Sequence, residues 1–456
     1  MTISAARKIA FDVLRRVEAE GAYASDLLHA ELGANVKIAD AALATELTMG
    51  VLRWRRLLDF ILEGQLKKPA ERLDLPVALA LRLGLYQLRF LEKIPARAAV
   101  HESVELVKRA RKSSAASLVN AVLRRAAEEA RLSVEKFLPP NLPPAGRLAI
   151  LHSHPTWLVE RWLARFGAPA TLALLEANNR APRLACAVHD GARRDEIIRE
   201  LGKSGLHIVP GSLLKSAFAA SGGSLTRTES FRTGKISIQD EASQAVPLLL
   251  DVHAGDRVLD LCAAPGGKTA VLARAAGRAG LVIAADRHAH RLRAMQAQFN
   301  RLGLTGVHVI ELDATQPLPF AARFDRILVD APCSGTGTLA RHPEIRWRLR
   351  PEQLSEFHVL QTQLLRNALA QLAPGGRLVY STCSIEPEEN EDVIVELLQA
   401  SPSIRRVPAS EAARSLAPYL AHGLEAASFF GPDGFFRTSP SAHSTDGFFA
   451  ALLEKS

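Results

Sequence analysis

Apolar positions recur by two different rules along this chain. Up to about residue 140 they fall at helical spacing. Ile9, Val13 and Val17 lie four apart and make one stripe, flanked by Arg15 and Arg16. A longer pattern over 41–62 carries Leu52, Trp54, Leu57, Leu58 and Ile61. Further helices are predicted over 76–91, where Pro76 suits a first helical turn, over 98–110 and over 115–130. The stretch Pro139-Pro140-Asn141-Leu142-Pro143-Pro144 breaks any helix and reads as a linker. Residues 150–235 mix the two periods, with helices over 154–166 and 195–204 and strands over 184–189 and 206–209. From about 236, short apolar runs alternate with helical stretches. Strands are predicted over 257–261, 281–285, 307–312, 326–329 and 377–380, and helices over 269–275, 290–301 and 351–372. That alternation predicts a doubly wound parallel sheet. The expected organisation is therefore multidomain: an all-α domain over 1–140, a linker with a small α+β unit over 141–235, and an α/β domain over 236–456.

Composition changes this picture in two ways. The 456 residues carry a net charge of +9, which points to a polyanionic partner, nucleic acid first. Within 1–140 there are 23 Lys and Arg against 17 Asp and Glu, so most of the surplus lies where no catalytic motif is visible. A helical RNA-docking module has this look, and so has a plain bundle with basic residues on its solvent face. Four cysteines do not make a disulfide framework. Residues 1–8 lack an apolar signal core, and no apolar run approaches a membrane span. A reducing cytoplasm is the expected setting, with no membrane contact.

The first predicted strand of the α/β part runs into Asp260-Leu261-Cys262-Ala263-Ala264-Pro265-Gly266-Gly267-Lys268-Thr269. Adjacent glycines at a strand-to-helix turn let a ligand approach the backbone, and the helix behind them offers free N–H groups. Asp286 closes the second strand, where a carboxylate can hold both hydroxyls of a ribose. Asp313 closes the third, within reach of an adenine amino group. A Walker A loop would need glycine where Cys262 stands, and G-x-G-x-x-G is absent. S-adenosylmethionine, a nucleoside with no phosphate to cradle, is the cofactor this set fits.

Two more cysteines end strands. Asp330-Ala331-Pro332-Cys333 follows the fourth, and Ser381-Thr382-Cys383-Ser384 the fifth. Strand carboxyl ends face the ligand crevice of an open α/β sheet, so both thiols belong to one site. Methyltransferases acting on exocyclic amines place an aromatic where Cys333 stands, and an aromatic cannot add to a base. A thiolate adds to C6 of a cytosine and turns C5 into a nucleophile that accepts a methyl group. Lys268 is a candidate for the positive charge such a thiolate needs. Asp330 is a candidate for recognising the base edge. Cys262 reads as packing and backbone contact in the cofactor turn, and Cys186, with no motif around it, as a core residue. The residues alone do not say which of Cys333 and Cys383 attacks.

With these strings, and with Gln239-Asp240-Glu241-Ala242-Ser243-Gln244, Arg341-His342-Pro343-Glu344-Ile345-Arg346-Trp347, Pro387-Glu388-Glu389-Asn390 and Asp446-Gly447-Phe448-Phe449, the chain resembles the Sun (Fmu) family of RNA cytosine-5 methyltransferases, in its RsmB-type ribosomal RNA branch. Asn120-Ala121-Val122-Leu123-Arg124 and its helical surroundings look like the NusB-type RNA-binding domain of that branch. The resemblance implies a class I (Rossmann-like) methyltransferase domain over 236–456. It also implies methyl transfer to a cytosine C5 in 16S ribosomal RNA. The expected partner is that RNA in a partly folded or early assembly state, and the expected form is a monomer that uses no metal. The resemblance makes Cys383 the nucleophile and Cys333 the residue that assists adduct breakdown. Cofactor contacts map onto Cys262, Ala263, Ala264, Pro265, Gly266, Gly267, Lys268, Asp286, Asp313 and Asp330. The segment 178–184 is a loose match to the family's entry to a strand, and the loop 436–444 does not align. Two rival readings are a transfer RNA cytosine-C5 methyltransferase and an RNA-binding regulator of the NusB type.

Overall fold

A computed structural model describes residues 3–33, 35–66, 69, 72–129 and 133–456 of the protein. They form two compact units. One comprises Met1–Ala181 with Leu339–Arg348, the other Pro182–Thr338 with Leu349–Ser456.

The first unit is helical. Its long elements are Ala5–Glu20, Ala24–Glu31, Ile38–Glu63, Leu75–Phe90, Ala96–Arg109, Ala116–Glu129, Pro144–Leu151 and Thr156–Asn179. The helix Leu75–Phe90 is buried without a break from Val77 to Gln87, so the others pack around it. The helix expected over 115–130 covers Ala116–Glu129, and Ala130 lies outside the described residues. Ala24–Glu31 is a helix that the apolar spacing does not announce. Pro144 opens the next helix at a position where its missing N–H costs nothing. The helix expected over 154–166 continues to Asn179 across a break at Gly167, φ 74° and ψ 171°. Pro144–Leu151 packs through Ile150 on Leu57, Val134 and Leu138, which makes it part of the helical unit. The first unit therefore runs on to Ala181, and the second begins at Pro182.

The segment Leu339–Arg348 caps this unit. Arg348 donates to the carbonyls of Val17 (2.9 Å), Gly21 (2.7 Å) and Ala22 (2.6 Å) at the end of Ala5–Glu20. A cation there meets unpaired carbonyls and the negative end of the helix dipole. Glu344 Oε1 accepts the Ala24 amide (2.9 Å) at the start of the next helix. Arg346 is fully buried. It donates to the carbonyls of Ser153 (3.0 Å), Asn178 (3.1 Å) and Leu339 (3.2 Å) and to Asn179 Oδ1 (2.9 Å).

The second unit holds two sheets. Strands β1 (Leu184–Val188), β2 (His207–Pro210), β3 (Ala217–Ser221) and β4 (Ile236–Ile238) form an antiparallel sheet in the order β2-β3-β1-β4. Cys186 on β1 is fully buried in its core. The larger sheet is built from β5 (Arg257–Asp260), β6 (Leu281–Asp286), β7 (Val307–Glu311), β8 (Phe324–Asp330), β9 (Leu372–Thr382), β10 (Ile404–Arg406), β11 (Phe436–Arg437) and β12 (Phe449–Lys455). Its order is β10-β12-β9-β8-β5-β6-β7, with β11 on β12. The five expected strands are β5 to β9, and they pair in parallel. The sequence pattern missed β10, β11 and β12, which add antiparallel at one edge. β9 also starts earlier than expected. It runs through Pro374-Gly375-Gly376, residues that read as a strand stop, and the ladder shifts register there opposite Phe324 and Arg326.

The chain steps outward from β5 through β6 to β7, then returns to place β8 on the other side of β5. The carboxyl ends of β5 and β8 flank this reversal, the place where open α/β sheets bind ligands.

Candidate active site

β5 ends at Asp260, and the next residues turn into the helix Gly267–Ala276. Gly266 has φ +96°, and a Cβ there would lie 2.7 Å from Met295 Cγ and 2.8 Å from Phe299 Cε1. Both the backbone and the packing beneath it demand glycine. A cleft opens at this turn, lined among others by Gln239, Asp260, Cys262, Gly267, Lys268 and Asp330. Ala263, Ala264 and Pro265 also line it. Asp286, at the end of β6, is buried. It accepts the amides of Ala264 (3.3 Å) and His288 (3.1 Å) and pairs with Arg291 at 3.4 Å. Arg291 also donates to the Ala264 carbonyl (2.6 Å), so the acid and the arginine brace the turn together. Asp313 is exposed, two residues past β7. Its Oδ1 accepts the Thr315 hydroxyl (2.7 Å) and amide (3.0 Å), which hold its carboxyl below the usual range.

The cleft fits a nucleoside sulfonium. Asp260 is buried, and its Oδ2 accepts the Thr269 hydroxyl at 2.7 Å, while its Oδ1 has no partner. Burial pushes this carboxyl up to about 7 against the Thr269 hydrogen bond, and the Asp330 charge adds to the rise. An orphaned acid oxygen at a cleft suits an ammonium group such as the one S-adenosylmethionine carries. Burial, and then the charges of Asp260, Asp330 and Asp286, raise the Cys262 thiol, so it stays protonated and packs.

β8 and β9 are parallel neighbours with Asp330 opposite Ser381. The chains leaving them bring Cys333 and Cys383 together, with their sulfur atoms 3.3 Å apart. Both cysteines are free and half-buried. The Cys333 thiol is raised well above its ordinary value. The hydrogen bond to Cys383 is the first cause, followed by burial and the charges of Cys383 and Glu389. Lys268 Nζ donates to Asp330 Oδ2 at 2.7 Å and lies 4.8 Å from the centre of the Phe448 ring. Its ionic partner is thus Asp330, the acid that also accepts the Ser381 hydroxyl at 2.8 Å.

A buried polar frame holds these loops, and sequence reasoning missed it. Gly337 donates its amide to the Cys383 carbonyl (2.9 Å) and accepts the Gly447 amide (2.8 Å). Thr336 Oγ1 accepts the Ile385 amide (3.0 Å), and Asn390 Nδ2 donates to the Ser384 carbonyl (2.9 Å). Tyr380 donates its hydroxyl to the Glu389 carbonyl (2.6 Å). The run Pro387-Glu388-Glu389-Asn390 enters the sequence analysis only as part of the family resemblance, which assigns it no contact with the cysteine loops. Among the described residues no group of His, Cys, Asp and Glu is placed to hold a metal, and no helix is long and apolar enough to cross a membrane.

Comparison with known proteins gives matches along the whole chain. A family model described as 16S rRNA methyltransferase RsmB/F matches residues 247–454. The NusB family model matches 4–128, and a ferredoxin-like domain of RsmF/B-like methyltransferases matches 154–221. A Bacillus subtilis protein named "Probable ribosomal RNA small subunit methyltransferase B" is 35% identical over all of both chains. "Ribosomal RNA small subunit methyltransferase B" of Pseudomonas putida is 35% identical over 87% of this chain and 89% of its own. The crystal structure of a methyltransferase homologue from Pyrococcus horikoshii is 30% identical, with a TM-score of 0.56, over 70% of this chain and all of that one.

Proposed function

The chain belongs to the RsmB/F family of S-adenosylmethionine-dependent 16S ribosomal RNA methyltransferases, and from that premise we propose that it methylates C5 of a cytosine in small-subunit ribosomal RNA through a covalent Cys383–C6 adduct. The observation that carries the reading is the pair of sulfurs at 3.3 Å on the loops that follow β8 and β9, the strand β8 ending at Asp330, which lines the cofactor cleft and pairs with Lys268. Bound S-adenosylmethionine supplies an electrophilic methyl group. The Cys262–Lys268 turn, Asp286 and Asp313 would hold it.

Asp330 accepts the exocyclic amine of the cytosine, and Lys268 fixes that carboxylate. Cys383 adds as a thiolate to C6, which makes C5 an enamine-like nucleophile. Once C5 is methylated, a base, water in the open cleft, takes the C5 proton, and cleavage of the Cys383–C6 bond restores the aromatic ring and the thiolate. Cys333, held as a thiol, assists that breakdown. The base must leave its stack to reach two sulfurs in a crevice, so the target is a loop or a flipped nucleotide in partly assembled RNA. The helical domain docks the RNA, and the enzyme works as a monomer in the cytoplasm.

Bisulfite mapping of ribosomal RNA from cells with and without the protein tests the assignment. One 5-methylcytosine in the small-subunit RNA disappears with the protein. Methylation of purified transfer RNA with none of ribosomal RNA would overturn the substrate.

A further inference from the structure

Glu389 is a buried carboxylate with no part in the cofactor turn or in the chemistry above. It ends the short turn Pro387–Glu389 and has no exposed surface. Its Oε1 accepts the hydroxyls of Ser334 and of Ser384 (2.6 Å). Its Oε2 accepts the Ser334 amide (2.7 Å) and Gln361 Nε2 (3.1 Å). Ser334 and Ser384 are the residues directly after Cys333 and Cys383. The same Gln361 nitrogen donates to the Pro332 carbonyl (2.9 Å), on the other side of Cys333. One carboxylate therefore grips both cysteine loops. Four donors fill the acceptor sites of an ionised carboxylate, so these bonds favour the charge even though burial raises the group.

We propose that Glu389 is a positioning residue for the thiol pair: it clamps the two loops at contact distance, and its negative charge keeps the proton on Cys333, so that Cys383 is the sulfur that ionises. A fixed charge in a poorly solvated site acts strongly on its neighbours, and this one is held mainly on the Cys333 loop: Ser334 gives two of its four hydrogen bonds, the Gln361 nitrogen that gives a third also holds the Pro332 carbonyl, and Ser384 gives one. The remaining charged or titratable groups around the pair are Asp330 with its partner Lys268, Tyr380, Cys262 and Glu386, which is buried in the same turn. The meaning of the clamp rests on the two-cysteine reading above, but its test does not.

The test uses the whole chain without RNA or cofactor. Limiting iodoacetamide labels the two thiols between about pH 6.5 and 9, and peptide mass spectrometry reads the label at each cysteine. Only the thiolate reacts, so near pH 7.5 Cys383 is expected to label about tenfold faster than Cys333. Glu389→Gln is expected to bring the two rates within about threefold, by lowering the pH at which Cys333 begins to react. Ser334→Ala removes one hydrogen bond and keeps the charge, so it retains the tenfold ratio. A clamp acting only through structure would lose the ratio in both variants, and that result overturns the proposal. So does an unchanged ratio in Glu389→Gln that keeps its native circular dichroism. Equal or faster labelling of Cys333 in the unsubstituted chain overturns it with no variant at all. None of these outcomes bears on whether the protein methylates RNA, which the bisulfite experiment decides separately.

Discussion

At the scale of single residues, two cysteines of similar exposure are expected to have opposite mutant phenotypes. On the proposed mechanism Cys383→Ala removes the group that adds to C6, so turnover and covalent RNA adduct should both vanish. Cys333→Ala should leave addition intact and slow breakdown, so that an adduct resistant to denaturing electrophoresis accumulates. Adduct in the Cys383 variant instead would reverse the two roles. Asp260 gives a pH prediction. Its folded-state value near 7 lies above the unfolded carboxylate range of about 4, so the folded chain binds the extra proton across that interval. The protein therefore loses stability as pH rises from about 4 through 7 and loses no more beyond it. Asp260→Asn lacks this loss. The stability difference between the two should move against the unsubstituted chain by up to ~4 kcal/mol over that range, read from urea unfolding midpoints without cofactor. A difference that stays flat with pH would mean that Asp260 remains charged.

At the scale of elements, the site depends on how closely two loops pass. Gly337 has no room for a side chain. A Cβ there would lie 2.2 Å from the Gly447 carbonyl oxygen and 2.8 Å from that of Cys383, both backbone atoms that cannot swing aside. Gly337→Ala should push the Cys383 loop away from Cys333. The expected outcome is a stability loss of ~1–3 kcal/mol, as for other overpacked sites, and adduct formation at least about tenfold slower. Single-turnover adduct formation measures it, and a wild-type rate would show that the sulfur contact does not set reactivity. The same element explains a limit of sequence reading. Cys333 and Cys383 are legible because each follows an apolar strand, and strand ends converge in a parallel sheet. Glu389 is not, because an acid in a charged turn looks solvated until the fold buries it between two serines.

At the scale of the whole molecule, the segment Leu339–Arg348 makes deletion of residues 1–140 an ambiguous test of RNA docking. That deletion removes the carbonyls of Val17, Gly21, Ala22 and Leu52, which pair with Arg348 and with Trp347 Nε1. Surface substitutions test docking more cleanly. Arg97 and Arg124 are exposed on the helical unit. If they contact phosphates, Arg97→Ala and Arg124→Ala should each weaken RNA binding and lower the slope of log K against log salt by about 0.7–1, with no change in melting temperature. Unchanged slopes would leave these two charges a solvating role.

Periodicity and local chemistry suffice, from the sequence alone, for the helical first part, the five parallel strands and the meeting of the two cysteine loops at the strand ends. These signals are local, since each needs only a few neighbouring residues to be recognised. The antiparallel strands β10 to β12, the place of Leu339–Arg348 in the helical unit and the clamp on the thiols depend on partners tens to hundreds of positions away. Which groups lose water, and so which charges act at full strength, is decided only when those distant partners close over them.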